Sequence, residues 1–241
     1  VGTLTLVRHG QASLFSDDYD RLSPLGEQQA ALLGAHWASQ GTGFDRVVTG
    51  PRRRQRDTAR IACDAHGEAS GVRSLPEPDV APEFDEMHAE ELLRTRLPHL
   101  AEADETLRAM IEAMSIAGDP REAHRGFQRI FEHVMTRFVR GEIEAPEVES
   151  FEAFRARVEG GIRMLQADDR RGLRVVVFTS AGTIAAAIGA ALALSGEKIL
   201  DLAGVVRNGS ITEIAWSKSR LTPVSFNAMP HLRDPRTWTH R

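Results

Sequence analysis

Arg8, His9 and Gly10 place a fixed cation, an imidazole and a freely turning backbone in succession. A guanidinium presents a rigid fork of donors that holds and neutralises a phosphate or a carboxylate. A neutral imidazole beside it supplies the lone pair for nucleophilic attack on the anion so held. The glycine lets the backbone turn sharply and approach a ligand closely. These residues close the run Thr3-Leu4-Thr5-Leu6-Val7, which reads as a buried strand. In open α/β sheets the carboxyl ends of the strands are where ligands bind.

Such a triplet works only if other elements hold it. Ser23 as N-cap and Pro24 in the first helical position open a helix carrying Leu25, Ala30, Leu32, Leu33 and Trp37, and Gly41-Thr42-Gly43 ends it. Phe44 to Thr49 reads as a second strand, and Pro51 opens a second helix. Arg52, Arg53, Arg54, Arg56 and Arg60 lie along that helix, with Thr58, Ala59, Ile61 and Ala62 as its more buried part. Val72 to Leu75 reads as a third strand, followed by a loop with Pro76, Pro78 and Pro82. This alternation predicts a mostly parallel sheet with helices on both faces. From Glu86 to Gln166 the pattern turns helical, over Glu90–Arg96, Glu102–Met114, Pro120–Arg140 and Ser150–Gln166, with breaks at Pro98, Gly118-Asp119-Pro120 and Pro146. It reads as a helical insertion, or lid. A strongly apolar central strand, Leu173–Thr179, then precedes a helix over Ala181–Leu194 that is apolar nearly all round. Ser210–Ser217 and Arg220–Phe226 read as a terminal hairpin at a sheet edge, and residues 227–241 as an irregular tail.

The composition narrows the class. The 241 residues are 41% hydrophobic, enough for one large α/β domain with an insertion, and the net charge of −4 gives no overall pull toward nucleic acid or anionic membrane. The arginine cluster lacks the aromatic platform of a nucleic-acid surface. The single cysteine, Cys63, excludes an internal disulfide and fits a cytoplasmic protein. No stretch reads as a signal peptide, and no apolar run reaches the roughly 18 residues of a membrane span. His36, His66, His88, His99, His124, His133 and His240 show no metal-ligand spacing, so neither a metal nor another cofactor is expected.

Leu6-Val7-Arg8-His9-Gly10 at the end of a first strand resembles the signature of the histidine phosphatase superfamily, which includes the cofactor-dependent phosphoglycerate mutases and many small-molecule phosphatases. The resemblance implies a three-layer α/β/α fold, with a core over 1–85 and 148–241 and an insertion over about 86–147. It implies that His9 is transiently phosphorylated and that Arg8 binds the phosphoryl group. A second arginine is expected four residues before a Thr-Ala pair; Thr58-Ala59 place it at Arg54, near a helix N-terminus that itself favours an anion. Arg52, Arg53 and Arg56 then form a solvated face. Gly50-Pro51 stands where the family usually has Ser-Pro. A proton donor is expected just past the third strand, at Glu83, with Asp85 and Glu86 as an acidic helix start.

One departure matters for the chemistry. Where most members carry a second histidine after the central strand, this chain has Ser180. A hydroxyl brings no positive charge, and losing a charge-assisted contact there costs a few kcal/mol of transition-state stabilisation, or about 10²-fold in rate. The amides of Ala181 and Gly182 at the following helix N-terminus would recover part of it. His231, in Asn227-Ala228-Met229-Pro230-His231-Leu232, is another imidazole that a folded-back tail would bring to the site, or else a residue that pins the tail. Gln11 and Ser13 are candidate substrate contacts, and Asn208, in the turn Arg207-Asn208-Gly209-Ser210, would support the site from behind.

Taken together, the resemblance implies metal-independent hydrolysis of a small phosphate monoester through phosphohistidine on His9. The alternatives are a mutase, which returns the phosphoryl group to a rebound product, dephosphorylation of a protein phosphohistidine, and a phosphate-ligand-binding relative that has lost activity. Trp216, near an expected edge strand, is compatible with a homodimer.

Overall fold

The computed structural model describes residues 1–12, 20–71, 75–218 and 220–240, which form six strands and eight α-helices. Ser13 and Val72–Ser74 lie outside the described residues. The chain divides into two compact units, residues 1–86 with 155–241 and residues 87–154.

The first unit is built on one sheet with strand order β3-β2-β4-β1-β5-β6. β1 (Gly2–Arg8), β2 (Arg46–Thr49), β3 (Asp79–Val80) and β4 (Arg174–Thr179) run parallel. β5 (Ile211–Ser217) pairs antiparallel to β1, and β6 (Arg220–Ala228) pairs antiparallel to β5. The fold class is therefore α/β with a largely parallel central sheet and flanking helices. Alternate β1 side chains point to opposite faces. Val7 joins Val47, Val176, Phe178 and Ile211 in a core covered by Leu33 and Trp37 of α1 (Pro24–Ser39) and by Ala59 and Ala62 of α2 (Arg53–Ser70). Leu4 and Leu6, on the other face, are equally buried. α7 (Ala181–Leu192) packs against β1 and is buried along most of its length, as its apolar sequence requires.

The parallel register brings the strand ends level. Arg8 pairs with Thr179, and Thr49 with Phe178. Hydrogen bonding continues one residue further: His9 N–H donates to Thr179 O at 2.9 Å, Gly50 N–H to Phe178 O at 2.9 Å, and Ala81 N–H to Thr49 O at 2.8 Å. Residues that follow four different strands thus begin from one edge.

Several sequence-based expectations need correction. The third strand is Asp79–Val80 rather than Val72–Leu75; it is an edge strand with both residues exposed, so no apolar pattern marks it. α2 starts at Arg53 with Arg52 as N-cap, not at Pro51. α7 ends at Leu192, where Ala193 adopts φ of 53°, and α8 (Gly196–Val205), capped by Ser195, follows unanticipated. Trp216 lies on β5, beside the edge strand β6, and is buried.

The second unit is helical, with α3 (Ala89–Ala103), α4 (Glu105–Ser115), α5 (Pro120–Val139) and the first turn of α6 (Phe151–Gln166). α3 runs through Pro98, which removes one backbone donor, and buries Leu92 and Leu93 in its N-terminal half. The break falls at Asp104, whose carboxylate caps α4 at Leu107 N–H and accepts from His133 Nε2 and Arg137 Nη1, both at 2.8 Å.

α1 is seated against the His9 loop by two glycines. A Cβ on Gly26 would lie 2.1 Å from Gln11 O, and one on Gly10 would lie 2.4 Å from Gly26 O. Backbone against backbone leaves no side chain to yield. Gly26→Ala is accordingly expected to lower stability by about 1–3 kcal/mol, read from the urea unfolding midpoint. An unchanged midpoint would show that α1 and the loop separate at little cost.

Candidate active site

His9 closes β1 with only 6% of its surface exposed. Its Nδ1 lies 2.7 Å from Gly10 O. A carbonyl can only accept, so Nδ1 carries the proton and Nε2 the lone pair. Arg54 Nε donates to that Nε2 at 3.2 Å. Burial, together with the cations of Arg54 and Arg8, holds the His9 pKa well below the ordinary imidazole value. The imidazole is therefore neutral, with its tautomer set by two hydrogen bonds.

The backbone around it is tied down from three sides. Arg8 Nη1 donates to Val206 O. Gly209 N–H donates to Arg8 O and His9 O, and Asn208 Nδ2 donates to His9 O at 3.2 Å. Gly10 N–H donates to Thr58 Oγ1, which itself donates to Arg54 O. Thr58 thus links the His9 loop to the first turn of α2 and fixes where Arg54 begins. The tail that reads as irregular is woven into this structure. The buried Gln29 accepts from Gln11 N–H and donates to Thr237 O and Thr239 Oγ1, and Thr239 Oγ1 donates to Asn208 Oδ1.

Asp20, which the sequence did not single out, faces the same turn. Its carboxylate accepts from Arg53 N–H at 2.7 Å, from Arg54 N–H at 3.4 Å and from Arg54 Nη1 at 3.0 Å. The amides at the start of α2, expected to favour a bound anion, are those that Asp20 engages.

Arg8, His9 and Arg54 are thus brought together; the remaining expected residues are placed as follows. Ser180, the N-cap of α7, is fully buried, and its Oγ accepts from Gln55 Nε2 at 2.8 Å; Gln55 Oε1 in turn accepts from Arg52 N–H. Ala181 begins α7 directly after it, but the next amide, Gly182 N–H, donates to Glu86 Oε2 at 3.2 Å. Asp85 accepts from Arg52 Nε at 2.7 Å. Arg52 is therefore not part of a solvated face, and Asp85 and Glu86 do not start a helix, since α3 begins at Ala89. Gln11 uses its side-chain oxygen to accept from Ser23 Oγ.

Glu83 sits in a 3₁₀ turn, Pro82–Phe84, with its Cβ against Gly161 of α6. That turn is pinned by Thr179 Oγ1 to Phe84 O, by Thr183 Oγ1 to Asp85 O, and by Arg157 Nη1 to the carbonyls of Pro82, Glu83 and Asp85. Arg157 carried no sequence signal, because its partners are backbone atoms some 70 residues away. The Gly50 that replaces a serine has a packing reason: a Cβ there would lie 2.5 Å from Phe84 O.

His231 is buried beside Gly209, with Nε2 placed 3.6 Å from where a Cβ on that glycine would stand, and its ring faces His36 at 6.3 Å. Neither ring nitrogen is hydrogen-bonded. A cavity of about 260 Å³ on the α1 side of the sheet is lined by Thr5, Trp37, Phe44, Arg174 and Glu213, among others, and by none of the candidate residues. Among the described residues no cluster of His, Cys, Asp and Glu could hold a metal ion, and no helix is long and apolar enough to cross a membrane.

The sequence model of the Histidine phosphatase superfamily (branch 1) matches residues 4–121 and 117–229. A phosphoglycerate mutase from Bacillus anthracis superposes with a TM-score of 0.62 at 18% identity, over 96% of this chain and 95% of that one. A mycobacterial glucosyl-3-phosphoglycerate phosphatase superposes with a TM-score of 0.58 at 21% identity, over 95% and 99%. A phosphoserine phosphatase from Entamoeba histolytica, in complex with 3-phosphoglyceric acid, gives 0.59 at 18%, over 96% and 100%. At these identities the likeness is one of fold. No curated protein matches the chain by sequence.

The buried His231 has a consequence for stability. Burial, then the neighbouring His36, pushes its pKa down to about 4. The unfolded chain titrates this group near 6.5 and so binds the extra proton first as pH falls. Its contribution is intact above about pH 6.5 and declines toward pH 4, by up to about 1.4 kcal/mol per pH unit. Urea unfolding of His231→Phe is expected to show a flatter pH dependence than wild type across that window; parallel curves would contradict a neutral, buried His231.

Proposed function

The chain belongs to the histidine phosphatase superfamily, branch 1, and on that premise we propose that it hydrolyses a small phosphate monoester through a phosphohistidine on His9. The superfamily comprises metal-independent phosphatases and mutases of small phosphate esters. The observation that carries the proposal is the state of His9: neutral, protonated on Nδ1 by the Gly10 contact, with Nε2 beside the Arg54 guanidinium. That is a nucleophile next to a phosphate ligand.

In this reading Nε2 attacks phosphorus in line, and the bond to the ester oxygen breaks as Glu83 delivers a proton to the departing alcohol. Glu83 then removes a proton from water, which attacks the phosphohistidine and releases inorganic phosphate. Arg8 and Arg54 neutralise the equatorial oxygens throughout. Arg157, by gripping three carbonyls of the Glu83 turn, keeps the proton donor in register with the strand ends. Among the named neighbours of the same fold, one is a phosphatase of glucosyl-3-phosphoglycerate and one is a phosphoserine phosphatase, and small phosphorylated carboxylates are accordingly the first substrates to test.

A second reading, a phosphate-ligand binder with little turnover, is favoured by Ser180. It is buried and occupied with Gln55, so the position opposite His9 supplies no second imidazole.

Hydrolysis of para-nitrophenyl phosphate in excess chelator separates the two. Wild type is expected to release inorganic phosphate, with loss of about 10³-fold or more in His9→Ala and about 10²-fold in Arg54→Ala. Release of nitrophenol without inorganic phosphate, when a glycerate acceptor is present, would indicate a mutase. No turnover between pH 5 and 8, with phosphate binding retained, would favour the binder.

A further inference from the structure

We propose that Asp20 is a positioning residue for Arg54, holding the guanidinium where its Nε meets His9 Nε2. The inference rests on the reading of His9 as nucleophile and Arg54 as its phosphate ligand. Arg54 is long, and its side chain must give up several rotors to lie against His9. Asp20 offsets that cost at both ends of the residue. One oxygen, Oδ1, accepts from the backbone N–H of Arg54 and from its Nη1, and the other, Oδ2, accepts from the backbone N–H of Arg53. A single carboxylate therefore ties the head of the side chain to the root from which it grows. The guanidinium is 6% exposed and the carboxylate 36%, so the pair is partly shielded from water and counts for more than a surface ion pair.

The same contacts finish the helix. Asp20 satisfies two backbone donors of the first turn of α2, those of Arg53 and Arg54. With Nη1 directed to Asp20, the Nε edge is turned to His9 Nε2 at 3.2 Å. Asp20, Arg54 and His9 thus form one chain of contacts, anchored on the other side by Thr58.

The test compares wild type with Asp20→Ala and Asp20→Asn, in turnover of para-nitrophenyl phosphate and in NMR of the Arg54 Nε–H group, whose signal is identified by its disappearance in Arg54→Lys. Asp20→Ala is expected to lower kcat by about 10- to 100-fold, the cost of a small misplacement near reacting atoms, with KM moved less than about threefold. The Nε–H should lose its protection from hydrogen exchange in parallel. Asp20→Asn keeps the shape and one acceptor oxygen, and is expected to lie between the two.

A kcat within twofold of wild type, with Nε–H equally protected, would overturn the proposal. So would a kcat that falls while Nε–H stays protected, since Asp20 would then act on something other than Arg54. A retained kcat with tighter inhibition by inorganic phosphate would mean that the carboxylate merely competes for an anion's place. If wild type turns nothing over, the functional reading fails, while the Nε–H comparison still decides the placement of Arg54.

Discussion

The contact between Arg54 Nε and His9 Nε2 is the constraint on which the rest depends. A guanidinium can donate only to a lone pair, and an imidazole keeps a lone pair on Nε2 only if its proton sits on Nδ1. The Gly10 carbonyl enforces that arrangement from the other side of the ring. Near-complete burial, then the cations of Arg54, Arg8 and Arg52, make the protonated ring unfavourable. The chain therefore keeps an uncharged imidazole against positive charge.

That geometry is held by hydrogen bonds among the polar groups around it, since leaving a buried one unpaired costs free energy comparable to a lost hydrogen bond. The strand ends satisfy some through the register of β1 and β4. The C-terminal segment satisfies others, through Thr239, Asn208 and Gln29, which carry hydrogen bonds from the tail to the His9 carbonyl. Opposite them, Gln55 links Ser180 to the start of α2. Ser180 Oγ thus accepts a hydrogen bond that ties it to the start of α2. The positive charge around His9 comes from Arg54, Arg8 and Arg52.

What could be read from the residues, and what could not, follows from how local each signal is. The buried strand ending in Arg8-His9-Gly10 and the helix opened by Ser23-Pro24 are written in contiguous residues, and both form as the sequence indicates. Arg54 was singled out because the family resemblance places an arginine four residues before a Thr-Ala pair, here Thr58-Ala59. β3 escaped because two exposed edge residues carry no pattern, and Pro98 misled because α3 continues through a proline that removes only one backbone donor. Asp20 was invisible for a different reason: it meets Arg54 from 34 positions away, with α1 and β2 between them in sequence. The same holds for Arg157, which recognises carbonyls, and every residue type has one of those. Read from sequence, Glu83 is the proton donor and Asp85 and Glu86 an acidic helix start; the fold puts Glu83 in a turn against α6 and makes Asp85 a partner for Arg52 and Glu86 an acceptor at the start of α7.

The central claim is most directly tested on the ring of His9 itself, by long-range proton–nitrogen NMR of protein labelled with ¹⁵N-histidine, the signal being assigned through His9→Ala. Nδ1 is expected to be protonated and Nε2 unprotonated, with no change from pH 8 down to pH 5, because burial and the neighbouring arginines keep the proton off. A ring that titrates near pH 6.5, or one with the proton on Nε2, would contradict it, since neither would present a lone pair beside Arg54.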